Sequence, residues 1–235
     1  MVIPEGVEEI KNYAFYNCTS IKNITMPKSL KSIGMDVFYG CNSIDSVYIT
    51  DLAAWCNIDF NDEDSNPMVY SDLYINGVLA TDIVIPDGVE EIKKYSFKSC
   101  ESITSVTIPD SVKTIGNYAF SYCKALAELK IGKNITSIGS NAFYNDKILK
   151  VYITNLAGWC GIDFKNDYAN PLGFAENFYI NGEDVTDIVI PDGVEEIKQY
   201  AFYKFDEMTT LKLSDTVKKI GLYAFFLVSP LKKWI

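Results

Sequence analysis

Paired carboxylates are the residues of this sequence best suited to chemistry, because two acids can share the roles needed for glycoside hydrolysis. Three pairs occur, at Glu8-Glu9, Glu90-Glu91 and Glu195-Glu196. Each pair fills the two variable positions of a Val-x-x-Ile segment, and the same positions one unit later hold lysines, at Lys31, Lys113 and Lys218-Lys219. Stacked units would bring these opposite charges side by side. The pattern therefore predicts solvent-exposed ion pairs and argues against a catalytic pair.

Two residue types are absent, and their absence excludes several kinds of chemistry. The 235 residues include no histidine, which removes the usual general base and the commonest metal ligand. They also include no arginine, so bidentate recognition of phosphate or carboxylate is not available. The net charge of −10 argues against nucleic-acid binding, which depends on basic side chains. We expect no enzymatic activity, no cofactor and no structural metal.

An acidic loop, Asp59–Asn66, is the one segment whose oxygen atoms could bind calcium. Its second copy, residues 163–170, has fewer carboxylates and includes Lys165. Neither copy has the spacing of an EF-hand loop. A solvated loop is the simpler interpretation, and the calcium hypothesis stays open from sequence alone.

Six cysteines raise the question of disulfides. Four of them lie three residues after a recurring phenylalanine: Cys18, Cys41, Cys100 and Cys123. Asp146, Phe205 and Val228 hold the equivalent position in other units. A position shared by Cys, Phe and Val is a packing position, so we predict buried free thiols, including Cys56 and Cys160.

The recurring phenylalanine reveals a repeat of 23 residues, as between Phe97, Phe120 and Phe143. In the clearest copy, residues 103–123, Val106 and Ile108 alternate with a polar residue as in a strand, which Pro109 ends. Ala119-Phe120 lie in a segment long enough for one or two helical turns. A unit this small buries its apolar side chains only by stacking on its neighbours.

A longer period of 105 residues relates Phe15 to Phe120 and Phe97 to Phe202. The intervals between regular units carry variant coils, at about residues 47–85 and 151–190, each with a tryptophan and an Asn-Gly pair. Asn-Gly between strand-like runs indicates a type I′ hairpin turn. We predict a small helix at each tryptophan, followed by a hairpin that leads into the next coil.

The repeat resembles the BspA-like subclass of leucine-rich repeats. The resemblance rests on Ile108-Pro109, Val112, Ile115-Gly116, Ala119-Phe120 and Cys123, with equivalents in the other coils. It implies an α/β fold: one right-handed leucine-rich-repeat solenoid domain over residues 1–235, with about nine coils. Parallel strands would form one face and short helical or 3-10 turns the other. The tryptophan-bearing variant favours a bacterial source.

Strand alternation predicts an outward column on the sheet, formed by the residue before each strand's last apolar position, and this column is either a ligand-binding surface or a solvated sheet of good strand formers. The candidate residues are Thr25, Tyr48, Val84, Thr107, Lys130, Tyr152, Val189 and Lys212. The resemblance implies that this sheet is concave and binds partners. Tyrosines beside the repeat phenylalanine, such as Tyr16 and Tyr118, form an alternative surface, although packing between coils explains them more simply.

The resemblance implies a cell-surface or secreted module that adheres to host proteins, glycans or other cells. The alternative is a structural spacer that projects another domain from the cell envelope. The chain begins inside a repeat and has no run of 18 apolar residues, so we expect a fragment of a longer protein with no membrane insertion. Signal and anchor would lie elsewhere, and uncapped ends could self-associate.

Overall fold

The computed structural model describes residues 1–229 and 233–234, with the backbone alone at 69, 70, 233 and 234. Residues 230–232 and 235, at the end of the predicted domain, lie outside the described part. The chain forms the predicted solenoid of about nine coils with parallel strands. Its repeating strands are two to four residues long.

The elements follow one another along the chain as short strands with two small α-helices. The strands are β1 (Glu9–Ile10), β2 (Asn23–Thr25), β3 (Ser32–Ile33), β4 (Ser46–Ile49), β5 (Asp59–Phe60), β6 (Asp72–Ile75), β7 (Val78–Leu79), β8 (Asp82–Val84), β9 (Glu91–Ile92), β10 (Ser105–Thr107), β11 (Thr114–Ile115), β12 (Glu128–Lys130), β13 (Ser137–Ile138), β14 (Lys150–Ile153), β15 (Asp163–Phe164), β16 (Asn177–Ile180), β17 (Glu183–Asp184), β18 (Asp187–Val189), β19 (Glu196–Ile197), β20 (Thr210–Lys212), β21 (Lys219–Ile220) and β22 (Lys233–Trp234). The α-helices are α1 (Leu52–Cys56) and α2 (Leu156–Cys160). The 3-10 helices are Glu63–Ser65, Pro67–Tyr70, Asp167–Ala169 and Pro171–Gly173.

The main ladder consists of the longer strands, which pair in parallel from coil to coil. Ser105 pairs with Glu128 and Val106 with Leu129, a shift of one repeat. The middle residue of each three-residue strand is buried, and its neighbours point outward, as strand alternation requires. We call the outward side of this ladder the strand face.

A second parallel ladder, which the sequence analysis did not predict, runs through the Val-x-x-Ile segments. It is formed by the two-residue strands, as where Thr114 pairs with Ser137 and Ile115 with Ile138. The isoleucine of each strand points into the core, and the polar residue before it is more exposed. Two residues are too few to show a strand period in a sequence.

Turns replace the short helices predicted for the Ala-Phe segments of the regular coils. Within the described residues, helices occur only in the variant coils. In the regular coil, Tyr118 (φ 56°) and Tyr122 (φ 64°) adopt the left-handed conformation, which does not continue a right-handed helix. The nitrogen of Tyr118 instead donates to the Ser140 carbonyl of the next coil at 3.0 Å. The turns thus contribute a third row of hydrogen bonds between coils.

The two predicted hairpins are present and divide both ladders into three blocks. Asn76 (φ 52°) and Gly77 (φ 81°) form the turn between β6 and β7, and Asn181-Gly182 form its copy. We name the parts block 1 (residues 1–79), block 2 (82–184) and block 3 (187–229 with 233–234). No strand pairing joins one block to the next among the described residues.

The core is nevertheless continuous, and its centre is the column of repeat phenylalanines. Phe97, Phe120 and Phe143 are fully buried, and their rings stack almost parallel at centroid distances of 5.2 and 5.7 Å. All six cysteines are free and five are buried, as predicted, with Cys18 half-buried.

The glycine after the second-ladder isoleucine is required by close packing of successive coils. A Cβ atom on Gly116 would lie within 3.0 Å of the Lys94 backbone nitrogen, and one on Gly139 would clash equally with Asn117. The first coil of each block has no coil of its own block before it. Lysine holds the glycine position in those three coils: Lys11, Lys93 and Lys198.

We therefore expect Gly116→Ala to destabilise the chain by about 1–3 kcal/mol, because the backbone of the preceding coil must move. Urea unfolding followed by circular dichroism would measure the change. Lys11→Ala, at the same repeat position without a coil beneath, is the matched control and should change stability by less than about 0.5 kcal/mol. Equal midpoints for Gly116→Ala and the unmodified protein would disprove the packing explanation.

Candidate functional site

The predicted binding residues lie on the strand face, in register, but in three separate groups. Thr25 pairs with Tyr48 in block 1, and Val189 with Lys212 in block 3. Block 2 aligns the largest group: Val84, Thr107, Lys130 and Tyr152. Strand alternation placed these residues in one column down the stack, and the strand ladder that holds them is interrupted by a hairpin after β6 and again after β16.

Two further tyrosines extend these groups. Tyr74 stacks on Tyr48 with ring centroids 5.0 Å apart, and Tyr179 stacks on Tyr152 at 4.5 Å. All four rings are half-buried. Sequence reasoning missed the second ring of each pair, although Leu73-Tyr-Ile repeats the pattern of Val47-Tyr-Ile.

Lys130 is adjacent to the second tyrosine pair. Its Nζ atom lies 5.9 Å from the centroid of the Tyr152 ring, within the range of a weak cation–π contact. Partial burial and the nearby Glu128 carboxylate raise the pKa of the Tyr152 hydroxyl, which therefore stays protonated at neutral pH. The group presents an ammonium, two aromatic rings and two hydroxyls on rigid strands.

The neighbouring outward column is occupied by contacts within the protein. The Ser105 hydroxyl donates to Asp82 at 2.6 Å, and the Thr210 hydroxyl donates to Asp187 at 2.7 Å. The Ser105 hydrogen bond lowers the pKa of Asp82. The hydrogen bonds from Thr209 and then Thr210 lower the pKa of Asp187. This column therefore has few polar groups left for a ligand, unlike the column that contains Tyr152.

The paired glutamates form the predicted ion pairs between coils. The matching pairs are Lys31–Glu8 at 2.8 Å, Lys113–Glu90 at 2.9 Å, Lys218–Glu195 at 2.8 Å and Lys219–Glu196 at 2.7 Å. Most of these side chains are well exposed, so each pair contributes about 1 kcal/mol or less. Their geometry supports a structural role.

The acidic loop uses its oxygen atoms to hold its own fold. The Ser65 hydroxyl donates to Asp62 at 2.7 Å, and Asp62 also accepts from the Asp36 nitrogen. Glu63 pairs with Lys98 at 2.5 Å. Throughout the described residues, no three His, Cys, Asp or Glu side chains gather in a way that could hold a metal ion.

Burial keeps the cysteine thiols protonated, and it also keeps the carboxyl of Asp146 protonated. Desolvation raises the pKa of Cys56 and of Cys160 to about 12. Asp146 occupies the cysteine position of its coil and is buried, and neither carboxyl oxygen has a hydrogen-bond partner. Desolvation raises the pKa of Asp146 to about 9.

The tyrosines of the turns pack on one another between neighbouring coils, which is the simpler of the two interpretations given in the sequence analysis. Tyr16 stacks on Tyr39 with centroids 5.1 Å apart, and Tyr95 stacks on Tyr118 at 5.5 Å. Several rings remain exposed along one edge of the turns, notably Tyr13 and Tyr39. They form a second aromatic surface, separate from the strand face.

A parallel solenoid of short coils with an outward strand face is the architecture of a leucine-rich-repeat scaffold. The family model described as "BspA type Leucine rich repeat region" matches residues 1–61, 69–159 and 174–234, in six copies. The chain therefore belongs to the BspA-type leucine-rich-repeat family, as its sequence indicated. Proteins built from such repeats are typically binding scaffolds without catalytic activity.

Solved structures of bacterial leucine-rich-repeat proteins are similar in fold. A leucine-rich cell surface protein of Faecalibacterium prausnitzii has 20% identity and a TM-score of 0.48, with 94% of this chain and 64% of that one covered. A Bacteroides ovatus leucine-rich-repeat protein has 23% identity and a TM-score of 0.49, with 98% and 64% covered. The chain thus spans less than two thirds of either protein. No curated protein matches it. Among the described residues, no helix has the length and apolarity needed to cross a membrane.

Proposed function

We propose that this chain is a non-catalytic binding module of a cell-surface or secreted protein, and that it holds a protein or glycan ligand on the strand face. Membership of the BspA-type family supports a surface location and a binding role. The ion pairs and the acidic loop have structural roles, which leaves the strand face as the best-equipped surface.

One observation carries the proposal: the strand-face tyrosines are paired, partly exposed and attached to rigid strands. Tyr48 with Tyr74, and Tyr152 with Tyr179, place two stacked rings beside each hairpin. Tyrosine covers a large contact area at a small cost in side-chain entropy, which is why binding surfaces favour it. Strands fixed by hydrogen bonds on both sides add little further ordering cost.

A structural spacer is the second candidate function, and the continuous core favours it. Trp55 and Trp159 donate hydrogen bonds across the gaps between blocks, so the coils are tied together where the ladders stop. A scaffold of this kind can hold another domain away from the cell envelope without binding a ligand itself. Threonine and valine elsewhere on the strand face also suit a merely solvated sheet.

A binding screen separates these candidates. The purified chain would be tested against immobilised extracellular matrix proteins and a glycan array, together with the double variant Tyr48→Ala/Tyr152→Ala. We expect saturable binding to one ligand class, weakened at least tenfold in the double variant. That loss corresponds to about 1.4 kcal/mol, within the range for a truncated aromatic contact residue.

The control is Tyr16→Ala/Tyr144→Ala, which removes two rings of the turn surface. Circular dichroism would confirm that both double variants are folded. Binding lost in the control but kept in the strand-face variant would assign the site to the turns. No saturable binding at tens of micromolar would support the spacer.

A further inference from the structure

A cleft of about 230 Å³ opens beside the second tyrosine pair, at the edge of the strand face in block 2. Its lining includes Lys130, Tyr152, Asp110 and the hairpin turn Asn181-Gly182. The buried side chain of Ile153 is part of the apolar lining. The cleft combines an apolar surface with polar groups of several types, which is typical of small-ligand sites.

One of the residues that line the cleft is a glycine, Gly132. Gly132 stands where the preceding coil has Pro109, and a Cβ on Gly132 would lie within 3.0 Å of the Pro109 carbonyl. The matching position in block 1 is held by Pro27, which is buried. Block 1 also has Thr25 where block 2 has Lys130. The two internal copies therefore share the tyrosine pair and the hairpin but differ in charge and in the residue beside the cleft.

The charges around the cleft leave one ammonium without a counter-ion. Lys130 is exposed and makes no ion pair with any residue that the structure describes. The nearby carboxylates are already engaged: Asp110 by Lys133 at 2.8 Å, Glu128 by Lys150 at 2.9 Å and Asp184 by the Asn177 amide at 2.9 Å. The cleft thus offers a cation to a negatively charged ligand.

The net charge of −10 would repel an anion at long range. At physiological ionic strength such repulsion is largely screened beyond about 8 Å. The nearby ammonium of Lys130 therefore determines whether an anion is attracted to the cleft. The hairpin adds hydrogen-bonding capacity, because the side chain of Asn181 is exposed and has no partner in the described part of the chain. The Thr154 hydroxyl is exposed in the same way.

We propose that this cleft binds one residue of an acidic sugar, with its carboxylate at Lys130, a C–H face against Tyr152 and hydroxyls at Asn181 and Thr154. The proposal rests on the proposed function, whose ligand class it narrows. The volume lies below the roughly 300–1,000 Å³ of pockets for drug-sized ligands, which suits a single ring. An acidic peptide side chain would form an ion pair with Lys130. It would make no use of the Tyr152 ring or of the hydrogen-bonding side chain of Asn181.

The test measures binding of a hyaluronan tetrasaccharide, which carries glucuronate, by isothermal titration calorimetry and ligand-observed NMR. Its carboxyl-reduced counterpart and a glutamate-rich peptide are the comparison probes. We expect saturable binding of the acidic sugar, at least tenfold weaker for the reduced sugar and for the Lys130→Gln and Tyr152→Ala variants. The matched controls are Lys22→Gln and Tyr39→Ala, which change exposed side chains of block 1 outside the predicted binding column, and both should bind as the unmodified chain does.

Three results would overturn the inference: equal binding of the reduced sugar, equal binding of the peptide, or equal losses in Lys130→Gln and Lys22→Gln. Absence of any binding to the acidic sugar would also overturn it. If the binding screen then still finds another ligand that depends on Tyr48 and Tyr152, the proposed function stands and only the ligand class fails. The two failures are thereby distinguishable.

Discussion

Asp146→Cys will stabilise the folded chain at neutral pH and remove a large part of its pH dependence. Asp146 occupies a position that holds cysteine in four other coils, and its carboxyl is buried without a hydrogen-bond partner. Burial raises its pKa from 3.8 to about 9. At pH 7 the carboxyl is therefore protonated in the folded chain and ionised in the unfolded chain.

The direction of the effect follows from proton binding. The folded chain holds one more proton than the unfolded chain between the two pKa values, so the stability contributed by this group falls as pH rises from about 4 to about 9. The slope is at most about 1.4 kcal/mol per pH unit, or roughly 4 kcal/mol by pH 7. Below the pKa that the carboxyl has in the unfolded chain, it is protonated in both states. The remaining cost to stability is that of burying a neutral carboxyl without a hydrogen-bond partner.

Urea unfolding at pH 4, 5.5, 7 and 8.5 would measure the difference in free energy between Asp146→Cys and the unmodified chain. We expect a gain of about 2–4 kcal/mol at pH 7 that shrinks toward pH 4. Asp146→Asn is the matched control: it removes the titration but leaves a buried polar group unpaired. A difference that does not vary with pH would contradict the proposed protonation of Asp146.

The repeat made much of the fold predictable because its signals are periodic. The phenylalanine spacing gives the coil length, the alternation of Val106 and Ile108 gives the main strands, and Asn-Gly gives the hairpins. The ion pairs followed from the same register, since Glu90 and Lys113 are one coil apart. Each of these features depends on residues that recur at fixed spacing.

Features that depend on the backbone or on a single coil were less predictable. The second ladder has only two residues per strand, and the left-handed turns place tyrosine where glycine or asparagine is more usual. Tyr74 and Tyr179 belong to the variant coils, outside the regular repeat. For Asp146, the repeat register predicts a buried position but not its energetic cost, because alignment with cysteines indicates burial and says nothing of missing hydrogen-bond partners.

The register of the candidate binding residues was predicted in part, and the reason for the shortfall is physical. Strand alternation correctly placed Lys130 beside Tyr152. It could not show that the hairpins end the ladder, since that depends on where the chain goes after Asn181-Gly182. Nor could it show the cleft, which depends on the backbone beside Gly132 and on which neighbouring carboxylates already have partners.

Of the substitutions proposed for this chain, Trp159→Ala will cause the largest loss of stability. It will also make block 3 unfold separately from block 2. The indole is buried and packs against Phe164 and Phe178, and its Nε1 donates to the Ala201 carbonyl at 2.8 Å. The strand ladders do not cross this junction, so the two blocks are joined by contacts such as this hydrogen bond and the Phe178–Phe205 ring contact. Trp55 makes the equivalent bond to Ser96 at the other junction.

Truncating a buried tryptophan costs about 3–5 kcal/mol, and here it also removes one of the two hydrogen bonds that the Ala201 carbonyl accepts, the other coming from Asn170. In a solenoid, stability is approximately the sum of the units and of the interfaces between neighbours. Weakening one interface therefore lowers cooperativity as well as total stability. We expect two urea transitions in place of one, and faster amide hydrogen exchange over residues 187–229 than over block 2.

Trp159→Phe is the matched control, because it keeps most of the apolar volume and loses the hydrogen bond. It should cost about 1–3 kcal/mol and preserve a single transition. If Trp159→Ala still unfolds in one step, with block 2 and block 3 exchanging together, the tryptophan is not what couples the blocks. Other links across the junction, such as the hydrogen bonds from Lys198 to Cys160 and from Asn170 to Tyr200 and the Phe178–Phe205 ring contact, would then be sufficient to keep the solenoid cooperative.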